Sequence, residues 1–128
     1  MAQDEFDAVV LLAHGAKDAR WMEPFYAMRR SLGERLSPKS VALTFMEFSP
    51  PTFADGVAEV LAKGARNILV VPIFLSGGGH VANDIPKLVA TEEARHPEGT
   101  FVLCGAIGEE REVASGMLDA VVRLARAK

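Results

Sequence analysis

Two of the three histidines in this 128-residue sequence follow segments that are typical of buried β-strands. His14 comes directly after the apolar run AVVLLA, and His80 follows a run of three glycines after the apolar segment ILVVPIFL. A neutral imidazole can accept a proton, and it can also bind a borderline divalent metal ion. A single histidine at the end of a strand is more often an ordinary loop residue. The pair therefore becomes chemically significant only if the fold brings the two side chains together.

The elements that must position these histidines alternate along the chain as strand and helix, four times over. The predicted strands are 8–13, 41–45, 67–75 and 100–104. The first is continuously apolar rather than alternating, which is typical of a strand buried on both faces of a parallel sheet. We therefore predict one α/β domain over residues 1–128, with three layers and a four-stranded, mainly parallel sheet between helices.

Apolar residues spaced three and four apart predict the helices. Thr52 and Asp55 form a capping pair for the second helix, which is expected to stop near Gly64. Asp84 and Pro86 indicate the first turn of the third helix. The apolar faces of the first and last helices are predicted to comprise Trp21, Phe25, Met28, Leu32 and Leu36, and Val113, Met117, Val121 and Leu124.

Strand order decides whether the two histidines meet. In the flavodoxin-like order 2-1-3-4 the first and third strands are neighbours, and ligands bind beyond their carboxyl ends. This order places His14 and His80 at one crevice, and Glu47 at the end of the second strand on the same rim. Met46 and Phe48, on either side of Glu47, are expected to belong to the core. The third histidine, His96, is expected to lie on the surface.

Three local features leave alternatives open. Pro72 lacks a backbone donor, so it must lie at a bulge or near the end of the third strand. The glycines 77–79 do not match the phosphate-binding fingerprints in their context. They form either a flexible loop or a backbone segment that lets a flat ligand approach closely. The cations Lys17, Arg20 and Lys87 lie near the predicted rim, although any one of them is more readily explained as solvated surface charge.

Composition excludes several classes of protein. The formal net charge of −3 and the lack of a basic run argue against nucleic-acid binding. No apolar stretch reaches the roughly 20 residues that span a bilayer, and the first residues are acidic rather than basic as in a signal peptide. Cys104 is the single cysteine, so no intramolecular disulfide is expected. We expect a cytoplasmic protein that does not bind membranes.

The segments LLAHGAKD, MEFSPPTFADGV and VVPIFLSGGGHVANDIPKLV resemble successive motifs of the CbiX-type class II chelatases, especially their short form. The resemblance covers residues 9–89. It implies a chelatase-like fold, a homodimer and the insertion of Co²⁺ or Fe²⁺, or Ni²⁺ as in close relatives, into sirohydrochlorin. The metal would be a substrate, with no tightly bound cofactor, and the pathway would be that of cobalamin or siroheme.

The same resemblance implies roles for individual residues. His14 would be the proton acceptor and a metal ligand, and His80 the second metal ligand. The loop against the macrocycle would comprise Leu75, Ser76, Gly77, Gly78, Gly79 and His80. Glu47 is a candidate catalytic residue that orients a histidine or relays protons. Two departures affect this picture, since many relatives have a further histidine among the glycines and some have an acidic residue at the position of Pro50.

Two other functions use the same residues. A histidine-dependent phosphatase or mutase has arginine before its strand-end histidine, whereas this chain has Ala13. A metal or tetrapyrrole carrier needs no catalysis and is compatible with both histidines. A phosphate-ester assay tests the first alternative, and the rate of metal insertion tests the second.

Overall fold

Four parallel strands form the centre of the molecule in a computed structural model that describes residues 6–127, apart from the side chains of His80 and Val81. Their order is β2-β1-β3-β4, as predicted. The strands are β1 (Ala8–Ala13), β2 (Ser40–Phe45), β3 (Asn67–Pro72) and β4 (Thr100–Leu103). The predicted domain bounds of 1–128 stay a prediction, because residues 1–5 and 128 lie outside the described part.

Helices cover both faces of the sheet at β1. They are α1 (Glu23–Leu36), α2 (Phe53–Ala62), α3 (His80–Arg95) and α4 (Arg111–Arg126), with short 3₁₀ turns at Ala19–Met22 and Ile107–Glu109. All six β1 residues are buried, because their side chains alternate between two apolar layers. Val10 and Leu12 pack with α2 and α3, whereas Val9 and Leu11 lie on the α1 side. The run AVVLLA is continuously apolar for this reason.

The second helix has the predicted start and stop. Thr52 Oγ1 accepts a hydrogen bond from Asp55 N (3.1 Å), and Asp55 Oδ2 accepts one from Thr52 N (3.3 Å). This reciprocal pair satisfies two of the backbone donors that a helix start leaves open. Gly64 follows α2 with φ of +102°, a conformation that favours glycine.

The third strand and third helix differ from the predicted bounds. β3 ends at Pro72, so the proline lies at the strand end, where its missing donor does little harm. α3 begins at His80, directly after Gly79 turns the chain with φ of +66°. The prediction that Pro86 stands in the first turn was therefore wrong, since Pro86 lies inside the helix. Buried Ile85 beside it anchors the helix to the sheet.

One side chain that was predicted to be buried is exposed, and one that was predicted to be exposed is partly buried. Trp21 is 72% exposed and belongs to the 3₁₀ turn before α1, so its prediction as helix-face core was wrong. Phe25, one turn later, does pack against the core. The His96 side chain is only 27% exposed, with its ring nitrogens 3.6 and 3.5 Å from carboxylate oxygens of Glu92 and Glu98. His96 is therefore partly buried, with carboxylates near both ring nitrogens.

The last helix leaves its apolar side uncovered. None of the α4 residues is buried, and five large side chains are exposed: Met117, Leu118, Val121, Val122 and Leu124. On the α1 side of the sheet, Val102 of β4 is 43% exposed, and its register partner Leu69 is only partly buried. Helical cover of both faces is thus complete at β1 but not at β4. Within residues 6–127, no helix is both long and apolar enough to cross a membrane.

The cap of α2 gives a stability prediction. We expect Thr52→Ala to lower the free energy of unfolding by about 1 kcal/mol, because the start of α2 loses its side-chain acceptor. Thr91→Ala is the matched control, since Thr91 is an exposed threonine inside α3 and its replacement should change stability by less than about 0.5 kcal/mol. Urea denaturation of both variants measures their free energies of unfolding. Equal losses of stability in the two variants would contradict the role of Thr52 as the cap of α2.

Candidate active site at the carboxyl edge of the sheet

His14 and Glu47 lie side by side because the pairing of β1 with β2 continues beyond both strands. Met46 N donates to Ala13 O (2.9 Å), and Glu47 N donates to His14 O (3.1 Å). The two side chains then meet, with His14 Nε2 2.7 Å from Glu47 Oε2. They are 44% and 51% exposed, so the contact is open to a ligand from solvent.

Both nitrogens of the His14 ring face oxygen atoms. Nδ1 lies 3.1 Å from Gly15 O, while Nε2 faces the Glu47 carboxylate. A hydrogen bond between Nε2 and the carboxylate uses a proton carried by one of the two groups. A ring nitrogen can bind a metal ion only when it carries no proton.

Gly15 makes this contact possible. Its φ is +97°, and a Cβ atom at this position would overlap the carbonyl oxygen of Glu47. Glycine lets the backbone after His14 turn and approach the end of β2 closely. Ser49 Oγ fastens the same two loops by donating to Ala16 O (3.1 Å).

Phe48 is part of this site rather than of the core. The residue is 55% exposed, so the prediction of a core residue was wrong, whereas Met46 does pack against the core. The ring lies edge-on to His14, with 6.1 Å between centroids and 66° between planes. Lys17 Nζ lies 5.3 Å from the Phe48 centroid. An exposed aromatic ring, a cation and the histidine–glutamate pair thus share one surface.

The glycine-containing loop that follows β3 is supported from behind by the 3₁₀ turn after β4. Gly108 N donates to Phe74 O (2.9 Å), and Gly77 N donates to Glu109 Oε2 (3.2 Å). A side chain at Gly108 would overlap the backbone of Leu75. Leu75 itself is 69% exposed at the edge of the sheet. The loop therefore has defined anchors and is not simply a flexible connection.

A cavity of about 220 Å³ opens between this loop and the end of β4, lined by residues that include Pro72, Ile85, Leu103, Cys104 and Glu109. Sequence reasoning missed its β4 side. The available signal was that Cys104-Gly105 follows the fourth strand, whose carboxyl end lies at the same edge as the others. Burial raises the pKa of the Cys104 thiol, which lies 3.4 Å from Val70 O. A protonated thiol is a poor metal ligand.

The remaining predicted residues fall in different places. His80 starts α3 beyond β3, the neighbour of β1, but its side chain lies outside the described positions. The joint use of His14 and His80 as metal ligands therefore stays a prediction. No three His, Cys, Asp or Glu side chains group into a metal site among those that are described. Arg20 is engaged by Asp18 in a bidentate pair, which lowers the pKa of the Asp18 carboxyl group.

The fold and site define a class of protein: a small parallel α/β domain of flavodoxin-like strand order, with a histidine–glutamate pair at the carboxyl ends of β1 and β2. The chain belongs to the CbiX family, whose model matches residues 8–124. It is 36% identical over 90 residues to the sirohydrochlorin cobaltochelatase of Methanocaldococcus jannaschii, a match that covers 70% of this chain and 63% of that protein. The chain thus spans less than two thirds of that relative's length. The predicted family resemblance is confirmed.

Solved structures agree with this assignment. A CbiX protein from Marinobacter aquaeolei VT8 is 32% identical with a TM-score of 0.80, and the match covers 94% of this chain and 98% of that one. The sirohydrochlorin chelatase SirB of Bacillus subtilis subspecies spizizenii, solved in complex with cobalt, is 24% identical with a TM-score of 0.80. The match covers 92% of this chain but 50% of SirB, so it shows the fold alone.

Gly15 provides a prediction for the site. We expect Gly15→Ala to lower the free energy of unfolding by at least about 1–2 kcal/mol, because alanine is strained at positive φ and its methyl group meets the Glu47 backbone. Gly33→Ala is the matched control. Gly33 lies inside α1 with no atom near its Cβ position, so alanine there should stabilise the protein by up to about 1 kcal/mol. Denaturation curves of both variants measure the loss and the gain of stability. A Gly15→Ala protein as stable as wild type would contradict the close approach of Gly15 to the Glu47 backbone.

Proposed function

We propose that this protein inserts a divalent metal ion into sirohydrochlorin, with Co²⁺ or Fe²⁺ as the substrate and Ni²⁺ as an alternative. The observation that carries the proposal is the 2.7 Å contact between His14 and Glu47 at the carboxyl edge of the sheet. The sirohydrochlorin cobaltochelatase of M. jannaschii, at 36% identity, supports the choice of substrate. A cytoplasmic location, with no nucleic-acid or membrane partner, belongs to the same proposal.

In this proposal His14 alternates between a metal and a proton. Insertion of a divalent ion replaces two pyrrole N–H protons of the macrocycle, so the site needs a base close to the ion. When Nε2 of His14 releases the ion to the macrocycle, its lone pair can accept one of these protons, and the other passes to solvent water. Glu47 then stabilises the imidazolium ion through a charge-assisted hydrogen bond. The half-exposed Glu47 carboxylate offers that proton a route to solvent.

His80 serves as the second metal ligand in this proposal. Two imidazoles leave most coordination positions of a Co²⁺ or Fe²⁺ ion open, and such a site binds less tightly than a closed four-ligand one. A loosely held ion can be passed on. The protonated thiol of Cys104 does not compete for it.

The loop from Leu75 to His80 lies against the macrocycle in the same proposal. The glycines 77–79 present backbone without side chains, so a flat ligand can approach closely. The hydrogen bond from Gly77 N to Glu109 and that from Gly108 N to Phe74 O keep the loop in place. A preorganised loop reduces the entropy lost when substrate binds.

We further propose that the protein is a homodimer in which α4 of each copy covers the partner's sheet. Two apolar surfaces of one chain lack a cover: the α4 side chains around Leu118 and Val122, and the face of β4 at Val102. If α4 of each copy packed on the β4 face of the other, both apolar surfaces would be buried. Burial of apolar surface drives association. The match to only half of SirB supports this, because a chain twice as long has room for two such domains.

Enzyme assays with substitutions test the metal-insertion proposal. Purified protein is mixed with sirohydrochlorin and Co²⁺ or Fe²⁺, and the absorption change is followed. We expect His14→Ala and His80→Ala each to slow insertion by about tenfold or more, because a positioned base or ligand is lost. Glu47→Gln should also slow it, since the amide carries no charge to stabilise the imidazolium ion.

His96→Gln is the control, because His96 lies at the end of α3 farthest from His80. It should leave the insertion rate unchanged. Wild-type protein that binds sirohydrochlorin without accelerating insertion would support a carrier instead, and unchanged rates in both active-site histidine variants would overturn the mechanism.

Sedimentation tests the dimer. We expect wild-type protein to have twice the chain mass of 13.8 kDa, and Leu118→Asp combined with Val122→Asp to give monomers, because charge cannot be buried against an apolar face. Met28→Asp, on an exposed part of α1, should leave the dimer intact. A monomeric wild type at micromolar concentration would refute the assembly.

A further inference from the structure

Phe48 is an exposed aromatic ring held in a conformation that proteins rarely use. It has φ of +71° and is the one non-glycine residue with positive φ among residues 6–127. For a bulky residue the left-handed conformation costs about 1–2 kcal/mol. Because the residue is 55% exposed, it also lacks the favourable free energy that burial of its ring in the core would provide. The fold thus bears two costs to keep this ring at the surface beside the active-site pair.

The position of the ring is well defined. His14 meets its edge, with centroids 6.1 Å apart, and Lys17 Nζ lies 5.3 Å from its centroid. Next to Phe48 in the chain, Ser49 Oγ donates to Ala16 O, which precedes Lys17. Two short loops, one after β1 and one after β2, therefore hold the ring, the ammonium group and the histidine together.

We propose that Phe48 and Lys17 form a binding element for the tetrapyrrole: the Phe48 ring packs against the face of the macrocycle, and Lys17 pairs with one of its peripheral carboxylates. This inference rests on the proposed function. An exposed ring offers stacking energy to a flat conjugated ligand on the face that Lys17 does not cover. The Lys17 ammonium group, 5.3 Å from the ring centroid, favours a ligand that bears carboxylates. Because the ring touches His14, a macrocycle stacked on it lies next to the group that exchanges metal and proton.

Of the cations near the predicted rim, Lys17 is a better choice than Arg20. Arg20 is already held by Asp18 through its Nε and Nη2 atoms. Lys17, by contrast, contacts an aromatic ring, and an exposed contact of this kind is worth only about 0.5–1 kcal/mol. A substrate carboxylate can therefore recruit Lys17 without breaking a strong pair.

Binding of metal-free sirohydrochlorin, followed by its own absorption and fluorescence, separates this inference from catalysis. We expect Phe48→Ala to raise the Kd about tenfold, as for the loss of an aromatic stacking partner. Phe48→Trp should keep near-wild-type affinity, and Phe48→Gly, which accepts φ of +71° without strain, should weaken binding as Phe48→Ala does. Met28→Ala, at another exposed apolar residue, is the control and should bind normally.

Lys17 is tested through charge. Lys17→Gln should raise the Kd up to about fivefold at low ionic strength, and the effect should shrink as salt is added. The esterified macrocycle, which lacks carboxylate charges, should bind wild type and Lys17→Gln equally and still lose affinity with Phe48→Ala. Lys63→Gln, at the end of α2, is the control.

The outcomes separate the two proposals. Wild-type protein that binds and metallates sirohydrochlorin, together with a Phe48→Gly variant of unchanged Kd and normal fold, would overturn this inference alone. Wild-type protein that does not bind sirohydrochlorin at all would overturn the proposed function and this inference with it.

Discussion

The candidate site depends on two backbone hydrogen bonds that extend the sheet past its last buried residues. Met46 N to Ala13 O and Glu47 N to His14 O carry the β1–β2 pairing into the loops, where a strand pair would ordinarily diverge. They fix a histidine and a carboxylate opposite each other at hydrogen-bonding distance. The close approach also explains why the chain has glycine directly after the histidine, because no side chain fits between the two loops. The chemistry proposed for the pair follows from backbone geometry more than from the surrounding side chains.

Much of the architecture could be predicted from the sequence, because the fully apolar strands and the order of the elements leave few topologies. The capping pair at Thr52 and the strand order are confirmed. The sequence predicted that His14 and Glu47 share one rim of the sheet. It could not predict their 2.7 Å contact, because that contact depends on the register between β1 and β2. Phe48 was misassigned because apolarity predicts burial and cannot reveal a left-handed backbone. The start of α3 was misplaced because Pro86 is typical of a first turn, whereas the turn at Gly79 sets the boundary.

The apolar side of α4 shows a further limit of prediction from sequence. Periodicity correctly gives α4 an apolar side, but it cannot say which surface that side will cover. In the structure α4 does not bury these residues against its own sheet, and the sheet at Val102 remains partly open. In the proposed homodimer, this helix side and this sheet face would cover each other between two copies.

Burial of the only cysteine has a consequence for a protein that would handle redox-active ions. Cobalt and iron promote thiol oxidation, and the thiolate is the form that oxidises and that captures soft metals. Cys104 lines the cavity, and burial raises the pKa of its thiol, which favours the protonated form. A thiol in this form oxidises more slowly than a thiolate. In the proposed function, the end of β4 would therefore be protected from oxidation by the ions that the protein handles.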